Sequence, residues 1–192
     1  MRLVAMALGA GILGVACGSS GHERVAATPP DRFGFGRAAT TAEIKAWDID
    51  VSPDGTGLPA GSGTARTGAA VYARKCAACH GRSGIEGPME RLVGREPREG
   101  FPFGRDRRFV PTIGNYWPYA TTIYDYVNRA MPLNAPGSLE PDEVYGLVAW
   151  LLWRNEIISD TTVIDRQSLA RIAMPARGRF VPDDRKGGPE IR

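Results

Sequence analysis

Apolar residues recur with helical spacing most clearly toward the C-terminal end, where Val144, Leu147, Val148, Leu151 and Leu152 follow one another three and four positions apart. That spacing puts them on one face of an α-helix. Pro141 stands at the first turn, where its missing N–H is not needed, and Asp142 and Glu143 complement the positive helix N-terminus. A second stripe, Ile123, Tyr126, Val127 and Ala130, predicts a shorter helix with Thr121 or Thr122 as its cap. A third helix is expected to run through Gly68, Val71 and Tyr72 into Cys76, capped by Thr64 or Thr67. Upstream, Ile44 and Trp47 suggest a short helix near 41–47; Ile49 and Val51 follow, then the turn-rich PDGTGLPAGSG. From 156 to 192 the periodicity disappears and Pro, Gly and charge rise, so an irregular or partly disordered wrap is expected. The pattern predicts a mainly α chain of three to four short helices, with irregular N- and C-terminal extensions. It contains no internal repeat of useful length.

The first apolar run is of another kind. Arg2 is followed by an uncharged stretch from Leu3 to Ala16 that ends in the small residues Gly14, Val15 and Ala16. It reads as a signal peptide over 1–16, too short for a permanent membrane span, so the mature chain is expected to be exported to the periplasm. Cleavage before Cys17 would leave an N-terminal cysteine, as in lipoproteins, although Gly14 occupies a position where that pattern usually has Leu. Lipid anchoring at Cys17 and an unmodified product both stay open. Residues 17–32 are small, polar and Pro-containing, a flexible tether in which His22 is a solvated linker residue. Residues 33–63 form an extension expected to pack on the domain, 64–158 the domain itself, and 159–192 the tail.

Length and charge narrow the chemistry. A chain of 192 residues accommodates one domain of ordinary size plus extensions, and 24 basic against 21 acidic side chains, a net +3, is too mild for nucleic acid. Three cysteines give no disulfide framework.

Two of those cysteines carry the strongest signal in the chain, Cys76-Ala77-Ala78-Cys79-His80. C-x-x-C-H is the attachment signature of a c-type haem. Thiols three positions apart lie on one side of a helical turn, where each can form a thioether to a haem vinyl group. The adjacent His80 then reaches the iron as its proximal ligand. A thioredoxin-like redox pair would want a βαβ setting that the flanks lack. A zinc site would need further ligands, and the remaining Cys17 and His22 belong to the leader and tether. A chance match is the third alternative. One motif implies one covalent haem c.

The order of parts, a helix carrying the haem motif, a loop-rich middle, a short helix, a Met-Pro turn and a last amphipathic helix, resembles a class I cytochrome c. That resemblance implies contact between the first and last helices, with Gly68 and Tyr72 meeting Ala149, Trp150 and Leu151. It also implies a methionine as the second iron ligand. Of five methionines two lie in the leader, and Met131 before Pro132 occupies the loop where such cytochromes supply this ligand. Met174 is the alternative, and Met89 is expected in core packing. The Gly87-Pro88 pair resembles the one whose proline carbonyl orients the proximal histidine, which makes Pro88 the expected acceptor for His80. Tyr116, Trp117 and Tyr119 belong to an aromatic cluster that can wall off the haem or bond a propionate, with plain core as the alternative. Six arginines between 91 and 108 outnumber the four acids of 90–108, Glu90, Glu96, Glu99 and Asp106, and could meet propionates, an acidic partner or only solvent.

Three stretches, AEIKAWDIDVSPDGTGLPAGSG, IGNYWPYATTIYDYVNRAMP and LEPDEVYGLVAWLLWRNEII, with RIAMPARGRFVPD in the tail, resemble the cytochrome subunit of sulfite dehydrogenase from the bacterial sulfur-oxidation system. In that family a molybdenum-cofactor subunit donates electrons and another cytochrome receives them; longer members add a second haem domain to the one matched here. The expectation is a periplasmic monohaem electron carrier, not an enzyme by itself. A haem enzyme acting on a sulfur compound or peroxide would need an open coordination position with acid–base groups beside it. A carrier for another periplasmic dehydrogenase, such as a quinoprotein, is the third reading.

Overall fold

The computed structural model describes residues 34–102 and 105–181, so the leader, the tether with Cys17 and His22, and the end of the tail lie outside the described residues. The chain divides into two compact units, Met1–Ala39 and Thr40–Arg192, and the second holds every helix and strand among the described residues.

Helix α1 spans Thr41–Trp47 and is fixed locally: the Glu43 N–H donates to Thr40 Oγ1 at 3.2 Å and the Thr40 N–H to Glu43 Oε2 at 2.8 Å. No residue of α1 is buried, and Trp47 is 88% exposed. The expectation that the whole 33–63 extension packs on the domain is corrected here. Two large apolar side chains in seven residues, Ile44 and Trp47, make too narrow a stripe, and packing begins only at Val51 and Leu58, which join the core.

Strand β1, Ser62–Thr64, leads into helix α2, Ala65–Lys75. Both candidate threonines cap α2 reciprocally: the Thr67 N–H donates to Thr64 Oγ1 at 3.2 Å, and the Thr64 N–H to Thr67 Oγ1 at 3.0 Å. A break at Cys76 is followed by the single turn α3, Ala77–His80, then a loop-rich middle, α4 over Ala120–Ala130 and α5 over Pro141–Arg154. Neither Thr121 nor Thr122 caps α4. Its N-cap is Tyr119, because Thr122 Oγ1 donates back to the Tyr119 carbonyl at 2.9 Å while Thr121 Oγ1 reaches the Pro53 carbonyl at 2.9 Å. The α5 stripe is buried as expected, and each such side chain contributes about 1.5–3 kcal/mol of apolar burial.

Helices α2 and α5 meet through glycine. A Cβ on Gly68 would lie 1.8 Å from the Gly146 carbonyl oxygen, so only glycine lets the two backbones touch. The contact falls at Gly146, short of the expected 149–151, while Tyr72 does stack on Trp150 with ring centroids 3.8 Å apart.

The tail is more ordered than its lost periodicity suggested. Strand β2, Val163–Asp165, pairs antiparallel with β1, Gly63 opposite Ile164, and Ile164, Leu169, Met174 and Ala176 are buried. Isolated apolar residues anchor a wrap that has no helical or strand period to betray it. The two segments that flank 64–158 therefore supply core residues to the same unit. No helix of the described residues is long and apolar enough to cross a membrane.

Candidate functional site

At the end of α2 the chain turns sharply enough to present both thiols from one turn. The Cys79 and His80 N–H groups donate to the Cys76 carbonyl at 3.1 and 3.0 Å, and Gly81 ends the turn at φ 81°. Cys76 is half-buried and Cys79 exposed. Burial pushes the Cys76 thiol up to about 11, opposed by Lys75 and helped by Cys79, so it is neutral near pH 7.

His80 is buried, and its Nδ1 lies 2.8 Å from the Glu90 carbonyl oxygen. A carbonyl only accepts, so Nδ1 carries the proton and Nε2 keeps a free lone pair, the form a metal needs. This corrects the expectation for Pro88. The acceptor comes two residues later because the Met89 N–H is bonded to the Cys79 carbonyl at 2.9 Å, which fixes the register of the following peptide. Gly87 permits that crossing: a Cβ there would stand 2.2 Å from the Cys79 carbonyl oxygen and 2.3 Å from the His80 carbonyl carbon.

Cys76, Cys79, His80 and Met131 all line one cavity of about 970 Å³, near the upper end of the roughly 300–1,000 Å³ usual for ligand and cofactor pockets. Ile123, Val127, Leu147 and Leu151 contribute apolar wall. The apolar stripe of α4 therefore faces this cavity through Ile123, Tyr126 and Val127, and Tyr126 is 49% exposed. The core-facing residues of α4 are Ala120, Thr121, Ile123 and Tyr124. Helical period reports an apolar face without saying whether protein or cofactor covers it.

Other expected residues separate. Tyr116 and Trp117 line the cavity; Trp117 Nε1 donates to Thr122 Oγ1 at 2.9 Å, which fixes its ring. Tyr119 stands off the wall and is corrected: the Arg177 guanidinium sits 5.0 Å from its ring centroid. Pro88 is also absent from the wall. Met174 is buried among core side chains away from the cavity, while Met89, expected in the core, is 47% exposed and lines it. Of the arginines, Arg91 reaches the wall with Nε bonded to the Val93 carbonyl at 3.0 Å. Arg98 pairs with Glu156 at 2.8 Å. Arg108 turns back on Asp106, and its hydrogen bonds hold that carboxyl down at about 2.

Sequence reasoning missed Glu90, whose role is played by its backbone carbonyl and so leaves no mark in residue type. It also missed Asn155, which ties the end of α5 to the loop carrying Glu90. Its amide accepts from the Gly94 N–H at 2.9 Å and donates to the Leu92 carbonyl at 3.3 Å and the Leu151 carbonyl at 2.8 Å. An asparagine directly after a long apolar helix was the available signal.

The donor set fits a covalent haem: two thiols on one turn, an imidazole with its outer nitrogen satisfied, and a thioether on a common apolar wall. Comparisons with known proteins agree. Residues 63–151 match the family model described as cytochrome C oxidase, cbb3-type, subunit III. A chain of the crystal structure of the sulfane dehydrogenase SoxCD from Paracoccus pantotrophus is 40% identical, with a TM-score of 0.68 over 80% of this chain and 73% of that one. No curated protein matches.

Proposed function

Because the chain belongs to the class I cytochrome c family, as an electron-transfer cytochrome of sulfur oxidation with one covalent haem c, we propose that it takes single electrons from a molybdenum-cofactor dehydrogenase subunit. It then passes them to another cytochrome in the periplasm. The observation that carries this reading is the convergence of Cys76, Cys79, His80 and Met131 on one apolar cavity. The haem supplies the one-electron Fe(III)/Fe(II) couple.

The chain's own residues do the rest. Cys76 and Cys79 would hold the group by thioethers, which would keep it bound through each exchange. His80 would ligate the iron through Nε2, with its ring oriented by the Glu90 carbonyl at Nδ1. Met131, on the same cavity wall, would supply a thioether as second ligand, and a soft thioether favours the reduced state. Ile123, Val127, Leu147 and Leu151 exclude water, which limits reorganisation around the redox centre. With Met131 as a ligand the iron would offer no open position to a substrate, and this supports reading the protein as a carrier and not an enzyme by itself.

Export rests on the apolar leader over 3–16, and membrane tethering on Cys17. Cys17→Ser should move the protein from the membrane fraction to the soluble periplasmic fraction; pelleting that survives the substitution rejects the lipid anchor.

The central test mixes purified holoprotein with a molybdenum sulfite- or sulfane-oxidising subunit and its substrate, and follows haem reduction by absorbance. Rapid reduction by that partner, with none by a quinoprotein dehydrogenase, is expected. Reduction by the quinoprotein alone would overturn the partner, and rapid cyanide binding to the ferric protein would overturn the sealed site.

A further inference from the structure

The His80 acceptor is one backbone carbonyl on an exposed stretch of loop, and nothing in Glu90 itself fixes that carbonyl. What fixes it is the segment that follows. The Leu92 and Val93 N–H groups donate to the Gly84 carbonyl at 2.8 and 3.0 Å, the Ile113 N–H donates to the Leu92 carbonyl at 3.1 Å, and Thr112 Oγ1 donates to the Gly94 carbonyl. Asn155 completes the frame from the end of α5. Its side chain is 1% exposed and all three of its bonds have unambiguous polarity. Gly94 N–H can only donate, and the Leu92 and Leu151 carbonyls can only accept, so the amide has one possible orientation.

The arrangement joins two elements that sequence separates widely. Leu151 belongs to the last turn of α5 and also lines the cavity, while Leu92 is two residues from the carbonyl that meets His80. One amide thus holds the helix end and the acceptor loop at a fixed separation. A satisfied buried amide has no adjustable partner, so displacement of the loop must break a bond.

We infer that Asn155 is a positioning residue for His80: by locking residues 92–94 it holds the Glu90 carbonyl on Nδ1 and thereby sets the reduction potential of the iron. The physical link is the hydrogen bond to Nδ1, which increases electron donation from Nε2 and stabilises the ferric state. Loosening it destabilises the ferric state and moves the midpoint positive. The inference rests on the reading of His80 as the proximal ligand.

The test uses full-length holoprotein in four forms: wild type, Asn155→Ala, Thr112→Val and Leu169→Ala. Thr112→Val releases the same segment from its other side with little change of volume, and decides the matter if Asn155→Ala does not accumulate. Leu169→Ala is a destabilised control, since Leu169 is buried in the tail's contribution to the core, away from the cavity wall. Midpoint potential is read by redox titration and exchange of the His80 Nδ1–H proton by NMR of the ferric protein. Both segment variants should exchange that proton about fivefold faster or more and shift the midpoint positive. Leu169→Ala should lower the melting temperature with the midpoint unmoved. A wild-type midpoint and exchange rate in a folded Asn155→Ala or Thr112→Val protein overturns the clamp while leaving ligation intact. A wild-type spectrum with no imidazole ligand overturns the ligation and the clamp together.

Discussion

The segment 76–94, which carries the thiols and His80, and the segment 131–139, which begins at Met131, line the same cavity but are built differently. The first is stitched by hydrogen bonds to successive backbone carbonyls: the Tyr72 hydroxyl to the Gly81 carbonyl at 2.8 Å, the Met89 N–H to the Cys79 carbonyl, and the Leu92 and Val93 N–H groups to the Gly84 carbonyl. The second follows α4 through the Met131 N–H bond to the Val127 carbonyl at 3.1 Å, and then holds a local turn, Ala135 N–H to the Pro132 carbonyl at 2.8 Å. Among the described residues it is tied to the rest by Lys75 Nζ, 3.4 Å from the Ser138 carbonyl, and by Leu139, which is buried in the core. Leu133 in it is 70% exposed. Few buried contacts and few long-range bonds mark a region of low local stability. The histidine side is therefore preorganised by protein contacts, whereas the methionine side, if Met131 ligates the iron as proposed, would draw part of its order from that bond.

The contrast predicts opposite failures. Gly87→Ala strikes the preorganised side, where the intruding Cβ meets backbone atoms of Cys79, His80 and Gly81 within 2.4 Å. Backbone cannot yield as a flexible side chain can, so the cost should be about 3 kcal/mol or more. In a domain of this size that lowers the melting temperature by roughly 6–12 °C. A melting curve matching wild type would mean that the crossing at Gly87 is looser than the geometry says.

Met131→Ala should do the reverse. Far-UV circular dichroism and the covalent haem are expected to persist, with a stability loss of about 1–2 kcal/mol for a partly exposed side chain. The sulfur-to-iron charge-transfer band should vanish and the ferric protein should bind cyanide quickly. Survival of the band would move the ligand to Met89, the other methionine on the cavity wall.

What the sequence disclosed, and what it hid, follows the same division. Cys76, Cys79 and His80 were legible because covalent attachment constrains residue type and spacing at once. Helix α5 was legible because its whole stripe is buried in protein. Pro88 and Tyr119 were misassigned because the work falls to backbone or to packing: a carbonyl acceptor can come from any residue, and a ring two positions from Trp117 points elsewhere. The tail was legible as an irregular wrap but not as a contributor to the core, because Ile164, Leu169 and Met174 are single anchors without a period. The stripe Ile123, Tyr126 and Val127 was legible as the apolar face of a helix, but not as a face shared between the core, which buries Ile123, and the cavity, which all three line.

Asp125 lies between the two sides, on the helix that delivers Met131. It accepts the Val51 N–H at 2.8 Å and pairs with Arg129 at 2.5 Å. Burial acts to raise its carboxyl pKa, but the bonds from Arg129 and Val51 outweigh it and the net shift is downward. A depressed folded value means that the stabilisation is complete above the unfolded value near 3.9 and is lost as pH falls through the lower folded one. Asp125→Ala should cost about 1–3 kcal/mol at pH 7 by leaving the Val51 N–H unsatisfied. The gap from wild type should narrow in thermal melts taken below about pH 4. A gap that stays constant with pH would remove the carboxylate's charge from the account.

Lys75 gives the smallest and most discriminating effect. It ties the cysteine-bearing helix to the methionine segment through Ser138, and it pairs with Glu143 of α5 at 3.0 Å. Both partners are partly exposed, so the pair stabilises by only about 0.2–1 kcal/mol, and Lys75→Met should shift the melting temperature by no more than about 2–4 °C. Loop opening is another matter, because a segment with few other cross-links opens more often once this one is gone. Imidazole added to the ferric protein should therefore displace Met131 several-fold faster in Lys75→Met, read as decay of the charge-transfer band. Glu143 sets the pH dependence. Burial raises its carboxyl pKa, while the bonds from Lys75 and the Glu140 N–H outweigh that and lower it. The tie thus holds above the unfolded carboxylate value near 4.3 and weakens as pH drops through the folded one. Displacement in wild type should then quicken toward the Lys75→Met rate in acid, while the variant changes little. Equal displacement rates in the two proteins at pH 7 would place the order of 131–139 wholly in its bond to iron.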